Sequence, residues 1–92
     1  MEVWQWKYVT WATTQLTNGL TFIKTVILWH STTANAVIYN EKAGGTTSMF
    51  LTVYNNANQL TIPIIFENPC QLDAGCYIVL SAGGMLVQYK TV

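Results

Sequence analysis

His30 is the one histidine in the chain, so any general-base chemistry near neutral pH has to be built around it. A nucleophilic set would take Ser31, Ser48, Ser81, Cys70 or Cys76 as the attacking group. Glu2, Glu41, Glu67 or Asp73 would then orient the imidazole. Only one such set could exist. His30 closes the apolar run Ile27-Leu28-Trp29, a position that suits a structural or interface histidine better than a base. A metal site would need His30, Cys70, Cys76 and Asp73 to converge from separate elements with no recognised ligand spacing. Carboxylate pairs drawn from Glu41, Glu67 and Asp73 carry no signal, because all three fall in turn-like stretches where solvated acids are usual. Gly44-Gly45 and Gly83-Gly84 precede strand-like runs and not helices, so neither is a phosphate-cradling loop. The expectation is a protein that is not an enzyme and uses no cofactor and no metal.

The aromatics make a stronger case for binding. Trp4, Trp6 and Tyr8 alternate with Gln5 and Lys7, which places three rings on one face of a strand. Such a face could stack sugar rings or bases. It could equally fill a core or a protein interface, where Trp and Tyr are enriched. Four lysines, no arginine and four acids leave no basic track for a phosphate backbone, which removes nucleic acid. Between sugar and protein we take protein, with Trp4, Trp6, Tyr8, Trp11 and Trp29 as the candidate interface residues.

Cys70 and Cys76 have five residues between them and no second pair to make a zinc ribbon. They read as buried or half-buried free thiols of a chain folded in a reducing compartment, with a late disulfide as the alternative. The start, Met1 to Lys7, predicts no secretory signal, and nothing approaches eighteen consecutive apolar residues, so no membrane is expected.

Ninety-two residues predict one domain, 1–92. A domain this small buries roughly 60 per cent of its unfolded surface. Half of the chain is apolar and only 9% is charged, so a monomer should expose apolar surface and self-associate.

The elements that must hold these residues are strands. Val3 to Trp11 alternates, Ala12 to Gly19 reads as a polar loop ending in the turn signal Asn18-Gly19, and Leu20 to His30 is the longest strand candidate, apolar on both faces near its end. Ala36 to Asn40 is a short strand, and Glu41 to Thr47 an exposed loop. Ser48 to Tyr54 and Leu60 to Phe66 follow. Pro63 marks the latter as an edge or bulged strand, because proline donates nothing to a ladder. Glu67 to Gly75 reads as a connection, and Tyr77 to Ser81 with Leu86 to Thr91 as a hairpin around Ala82-Gly83-Gly84. Seven or eight short strands without a 3.6-residue period predict an all-β, antiparallel β-sandwich, jelly-roll-like or immunoglobulin-like, with a small barrel second.

Ala36-Val37-Ile38-Tyr39-Asn40, Gly44-Gly45-Thr46-Thr47, the run Gly75 to Gly83 and Met85-Leu86-Val87-Gln88-Tyr89 together resemble a group of small phage virion proteins, over residues 8 to 91. The chain departs from that group in its Trp-rich start and in Glu67-Asn68-Pro69-Cys70. The resemblance implies a virion structural protein, a capsid decoration or cement subunit on the capsid surface, assembled in the host cytoplasm. It further implies a homotrimer and the major capsid protein as partner. A tail- or fibre-associated module that binds a glycan receptor is the alternative.

Overall fold

The computed structural model describes residues 3–10, 12–29, 34–55 and 61–91. Among the described residues eight strands are formed: β1 Gln5–Thr10, β2 Thr13–Thr17, β3 Thr21–Trp29, β4 Ala34–Tyr39, β5 Met49–Asn55, β6 Thr61–Leu72, β7 Cys76–Leu80 and β8 Gly84–Thr91. They make two four-stranded antiparallel sheets, β1-β8-β3-β6 and β2-β7-β4-β5. β1 pairs with β8, β2 with β7, β3 with β6 and β4 with β5. Each strand therefore meets the one equally far from the other end of the series, as in one long hairpin. Rolling that hairpin adds the β3–β8 and β4–β7 ladders. The result is the jelly-roll form of the expected sandwich. An immunoglobulin order would instead seat β1 beside β2.

The alternation in sequence explains the core. Val9, Ile23, Val26, Leu28, Leu72, Met85 and Val87 face inward from the first sheet, and Ala36, Ile38, Val53, Cys76, Ile78 and Leu80 from the second. Each fully buried side chain of this size contributes roughly 1.5–3 kcal/mol. No aromatic belongs to this buried set among the described residues; Phe50 and Phe66 close one side of the sandwich half-buried, with ring centroids 6.1 Å apart. In β3 the inward positions change parity between Ile23 and Val26, because the register slips by one residue there against β8.

Three expectations are corrected. Ala12 to Gly19 is not all loop, since β2 occupies Thr13–Thr17. Its Thr and Gln residues show no apolar alternation, and what holds them is the ladder to β7. Glu67 to Gly75 is not simply a connection: β6 runs on to Leu72, and the pairing with β3 jumps from Ile65 to Cys70, so Phe66 to Pro69 form an irregular insertion. β7 and β8 are not a hairpin, because they belong to opposite sheets and the Gly83 turn (φ 77°) carries the chain across. β6 is an edge strand, as Pro63 requires.

Candidate functional site

Residues opposite each other in a ladder put their side chains on the same face, so the register maps the outer face of the first sheet. One row runs Trp6, Gln88, Thr25, Ile65. The next runs Tyr8, Leu86, Ile27, Pro63, and the third Thr10, Gly84, Trp29, Thr61. Trp6 is 52% exposed, Tyr8 and Trp29 are each 45% exposed, and Ile65 is 71% exposed. The Tyr8 and Trp29 rings stack at 5.2 Å and 26°, although their strands are separated by β8. They can meet because Gly84 lies between them. A Cβ there would sit 2.7 Å from the Tyr8 ring, so the absence of a side chain is what lets tyrosine lie over β8.

Two polar groups within the face are already partnered, since Thr25 Oγ1 donates to Gln88 Oε1 at 2.9 Å. Charge collects at one end. Lys90 Nζ lies 4.9 Å from the Trp4 ring centre and 5.3 Å from that of Phe22, and Lys24 Nζ lies 5.5 Å from Trp4, all within cation–π range.

The sequence-derived residues divide accordingly. Trp4, Trp6, Tyr8 and Trp29 come together on this face, with Trp4 half-buried under the lysines. Trp11 lies outside the described residues. The strand β1 turns its aromatic side away from its own core, and Gln5, Lys7 and Val9 line the other side. Leu86, Ile27 and Ile65, which complete the face, were not singled out. The signal for Ile27 was the two-sided apolar run it belongs to; for Ile65, the run Ile62 to Phe66 held it without marking its side.

None of the chemical candidates gathers into a catalytic arrangement among the described residues. His30 and Ser31 lie outside them. Ser81 Oγ accepts the Asn35 N–H at 2.8 Å, and Asp73 Oδ1 accepts from Gln71 Nε2 at 2.7 Å. Glu41 accepts from the Thr47 hydroxyl at 2.6 Å, which with Ser48 holds its carboxyl below the usual range. Both cysteines are free. Burial pushes the Cys76 thiol up to about 12 and raises that of half-buried Cys70, the opposite of what a thiolate nucleophile needs. No group of three or more His, Cys, Asp or Glu able to hold a metal occurs among the described residues.

A second feature lies at the end of the sandwich where β1 and β3 begin and β2 and β8 finish. It is a cleft of about 410 Å³, with Gln5, Asn18, Tyr89 and Thr91 around Leu16 and Leu20. The Tyr89 hydroxyl donates to Gln5 Oε1 at 3.0 Å and the Ala43 N–H to Asn18 Oδ1 at 3.2 Å. Both amides thus have their oxygens engaged, and no charged side chain among the described residues lines the cleft.

No protein-family model matches the chain, and no curated protein does. Among solved structures it is similar to a dTDP-6-deoxy-D-glucose-3,5-epimerase from Legionella pneumophila Philadelphia 1, in complex with dTDP-4-keto-L-rhamnose. The identity there is 8% and the TM-score 0.39, over 96% of this chain and 46% of that one. It is also similar to a carbohydrate-binding module from Cellvibrio mixtus lichenase 5A in complex with cellotriose, at 18% identity and TM-score 0.38, over 98% of this chain and 71% of that one. The chain thus spans about half the length of the epimerase.

Proposed function

We propose that the protein acts without chemistry, as a structural subunit of a phage particle that docks through the outer face of its first sheet. The observation that carries this reading is the composition of that face. Trp6, Tyr8 and Trp29 stand exposed around Leu86, Ile27, Pro63 and Ile65, and these four side chains at the centre of the face offer no hydrogen bonds, with Gln88, Thr10 and Thr61 around them. A sugar stacked on aromatic rings also needs polar groups at its edge, whereas a protein surface needs apolar area with a polar rim. The resemblance in sequence supplies the class: a capsid decoration subunit on the capsid surface, with the major capsid protein as partner. Modest contacts suffice for such a subunit, because binding only the assembled shell stabilises it by mass action and repeated sites add avidity.

The test is binding to purified particles of the phage that encodes the chain. Trp6→Ala with Trp29→Ala should weaken occupancy by more than about 30-fold, the equivalent of roughly 2 kcal/mol at an interface hot spot. The chain should stay folded, since neither ring is in the core. Unchanged occupancy overturns the reading.

The cleft supports the second reading, a glycan-binding module. Its volume falls within the roughly 300–1,000 Å³ of ligand sites. Its neutral amides, hydroxyls and apolar floor suit a neutral saccharide. Titration with neutral oligosaccharides, lost in Asn18→Ala, would favour it over the docking reading.

A further inference from the structure

Among the described residues the sandwich has four edge strands, β1, β6, β2 and β5, and an edge left open is a template for another strand. Three of the four are defended. β6 carries Pro63, Pro69 and Glu67 together with the irregular insertion Phe66 to Pro69. β1 carries Lys7. β2 is only five residues long and shifts register between Gln15 and Thr17. β5 is the least defended, because its one register shift lies near its start and leaves the rest of its ladder regular. Met-Phe-Leu-Thr-Val-Tyr-Asn contains no charge and no proline, and its ladder to β4 is regular from Leu51 to Asn55, after one irregularity at Phe50. Met49 is 63% exposed and Tyr54 is 59% exposed.

We infer that β5 is the edge through which two copies of this chain pair, antiparallel about a two-fold axis at Thr52, into one continuous eight-stranded sheet. The centre of the strand, Leu51 to Val53, is complementary to itself in that register. Thr52 meets Thr52 on the outer face, and Leu51 meets Val53 on the inner face, where Val53 is buried and Leu51 half-buried. Thr–Thr pairs and aliphatic pairs are favourable cross-strand neighbours, and no like charges oppose each other. The arrangement is isologous, so it closes at two copies and does not propagate through this edge. It is independent of the aromatic face of the other sheet, and it replaces the trimer that the resemblance implies with a pair.

The test uses the whole chain in solution. Light scattering across the micromolar range should give twice the chain mass of 10.3 kDa. Thr52 is exposed, so Thr52→Lys and Thr52→Glu should both fold, as circular dichroism will show. Each should dissociate at least 10-fold more readily, because the two-fold axis sets like charges against each other. An equimolar mixture of the two should recover the pair. In the unmodified chain the alternate amides of Leu51 to Asn55 that turn away from β4 should gain protection from hydrogen exchange as concentration rises, a readout that needs no variant. A single-chain mass, a three-chain mass, or a pair untouched by either charge overturns the inference. Trp6→Ala with Trp29→Ala should leave the pair intact, which separates failure here from failure of the docking face.

Discussion

Gln15 and Gly75 close on the same two backbone carbonyls, those of Thr17 and Glu41. Gln15 Nε2 donates to Thr17 O at 2.7 Å, to Glu41 O at 3.0 Å and to Cys76 O at 3.2 Å, while its Oε1 accepts the Gly44 N–H at 2.6 Å. A Cβ on Gly75 would lie 2.7 Å from Thr17 O and 2.9 Å from Glu41 O. One side chain thus ties β2 to the Glu41 loop and to β7, in a space that stays open only because residue 75 has no side chain.

Gly75→Ala should therefore destabilise the fold by about 2 kcal/mol or more. The new methyl meets backbone atoms that cannot swing aside, and φ at +149° is itself unfavourable for alanine. Gly19→Ala is the control, since nothing lies within 4 Å of its Cβ. Denaturant melts of the two variants should differ clearly; equal midpoints would remove the steric argument.

Gln15→Leu keeps the bulk but removes the two N–H donors that the three carbonyls share, and should cost about 1–3 kcal/mol. Gln15→Glu sharpens the point. An ionised carboxylate only accepts, so it would face those carbonyls with no proton to offer. The fold then disfavours the charged form and raises the pKa of the introduced carboxyl above its unfolded value. Stability of this variant should rise as pH falls through that raised pKa, which melts at pH 7 and pH 5 can check.

Gln15 also shows where the sequence stops being informative. Its neighbours Thr13, Thr14 and Thr17 have no alternation to mark a strand, and its role depends on residues 26 and 61 positions away. The sharing of one face by Trp6 and Tyr8 was legible from period two alone. Which side of β1 faces the core was not, because that rests on Val9 packing beneath β8 and on Gly84 making room above it. Pro63 was legible as an edge, since the missing N–H acts locally. The Gly83-Gly84 turn was misread as a hairpin because turn chemistry shows that the chain reverses and leaves open whether it stays in the same sheet.

The Cys76 thiol, pushed from about 9 to about 12 by burial, makes the fold sensitive to alkali. The folded state keeps its proton where the unfolded chain has released it. Stability from this group is full below pH 9 and is lost as pH rises from 9 to 12, at up to about 1.4 kcal/mol per pH unit. Cys76→Ala should flatten that part of the stability profile. In the unmodified chain at pH 8, a thiol reagent should label Cys70 first and Cys76 only on unfolding, since Cys70 is half-buried and Cys76 fully buried.

Glu41 works in the other direction. The Thr47 hydroxyl, then that of Ser48, holds its carboxyl below 4.5, so its contribution is present above the unfolded value and lost as pH falls through the lower folded one. Thr47→Val removes the 2.6 Å bond and should raise the Glu41 pKa towards the ordinary range. A carboxyl titration followed by nuclear magnetic resonance reads this directly, and no movement would show that Ser48 suffices.

Gly84→Ala tests the docking face without removing any of its rings. The added methyl would strike Tyr8 at Cε1, Cζ and the hydroxyl, but Tyr8 is a side chain on an open face and can rotate outward. The stack on Trp29 would then be lost, at a cost of about 0.5–1.5 kcal/mol. Alanine in a strand recovers a similar amount through the unfolded chain, so net stability should change by less than about 1 kcal/mol. The ring protons of Tyr8 should lose the upfield shift that Trp29 imposes, which confirms that the rings have parted. If the outer face docks as proposed, the displaced ring breaks its contour, and particle binding should fall although Trp6, Tyr8 and Trp29 are all present. Pairing through β5 should be unaffected, because that edge lies in the other sheet. Full particle binding with the stack demonstrably broken would mean that the surface which docks lies elsewhere on the sandwich.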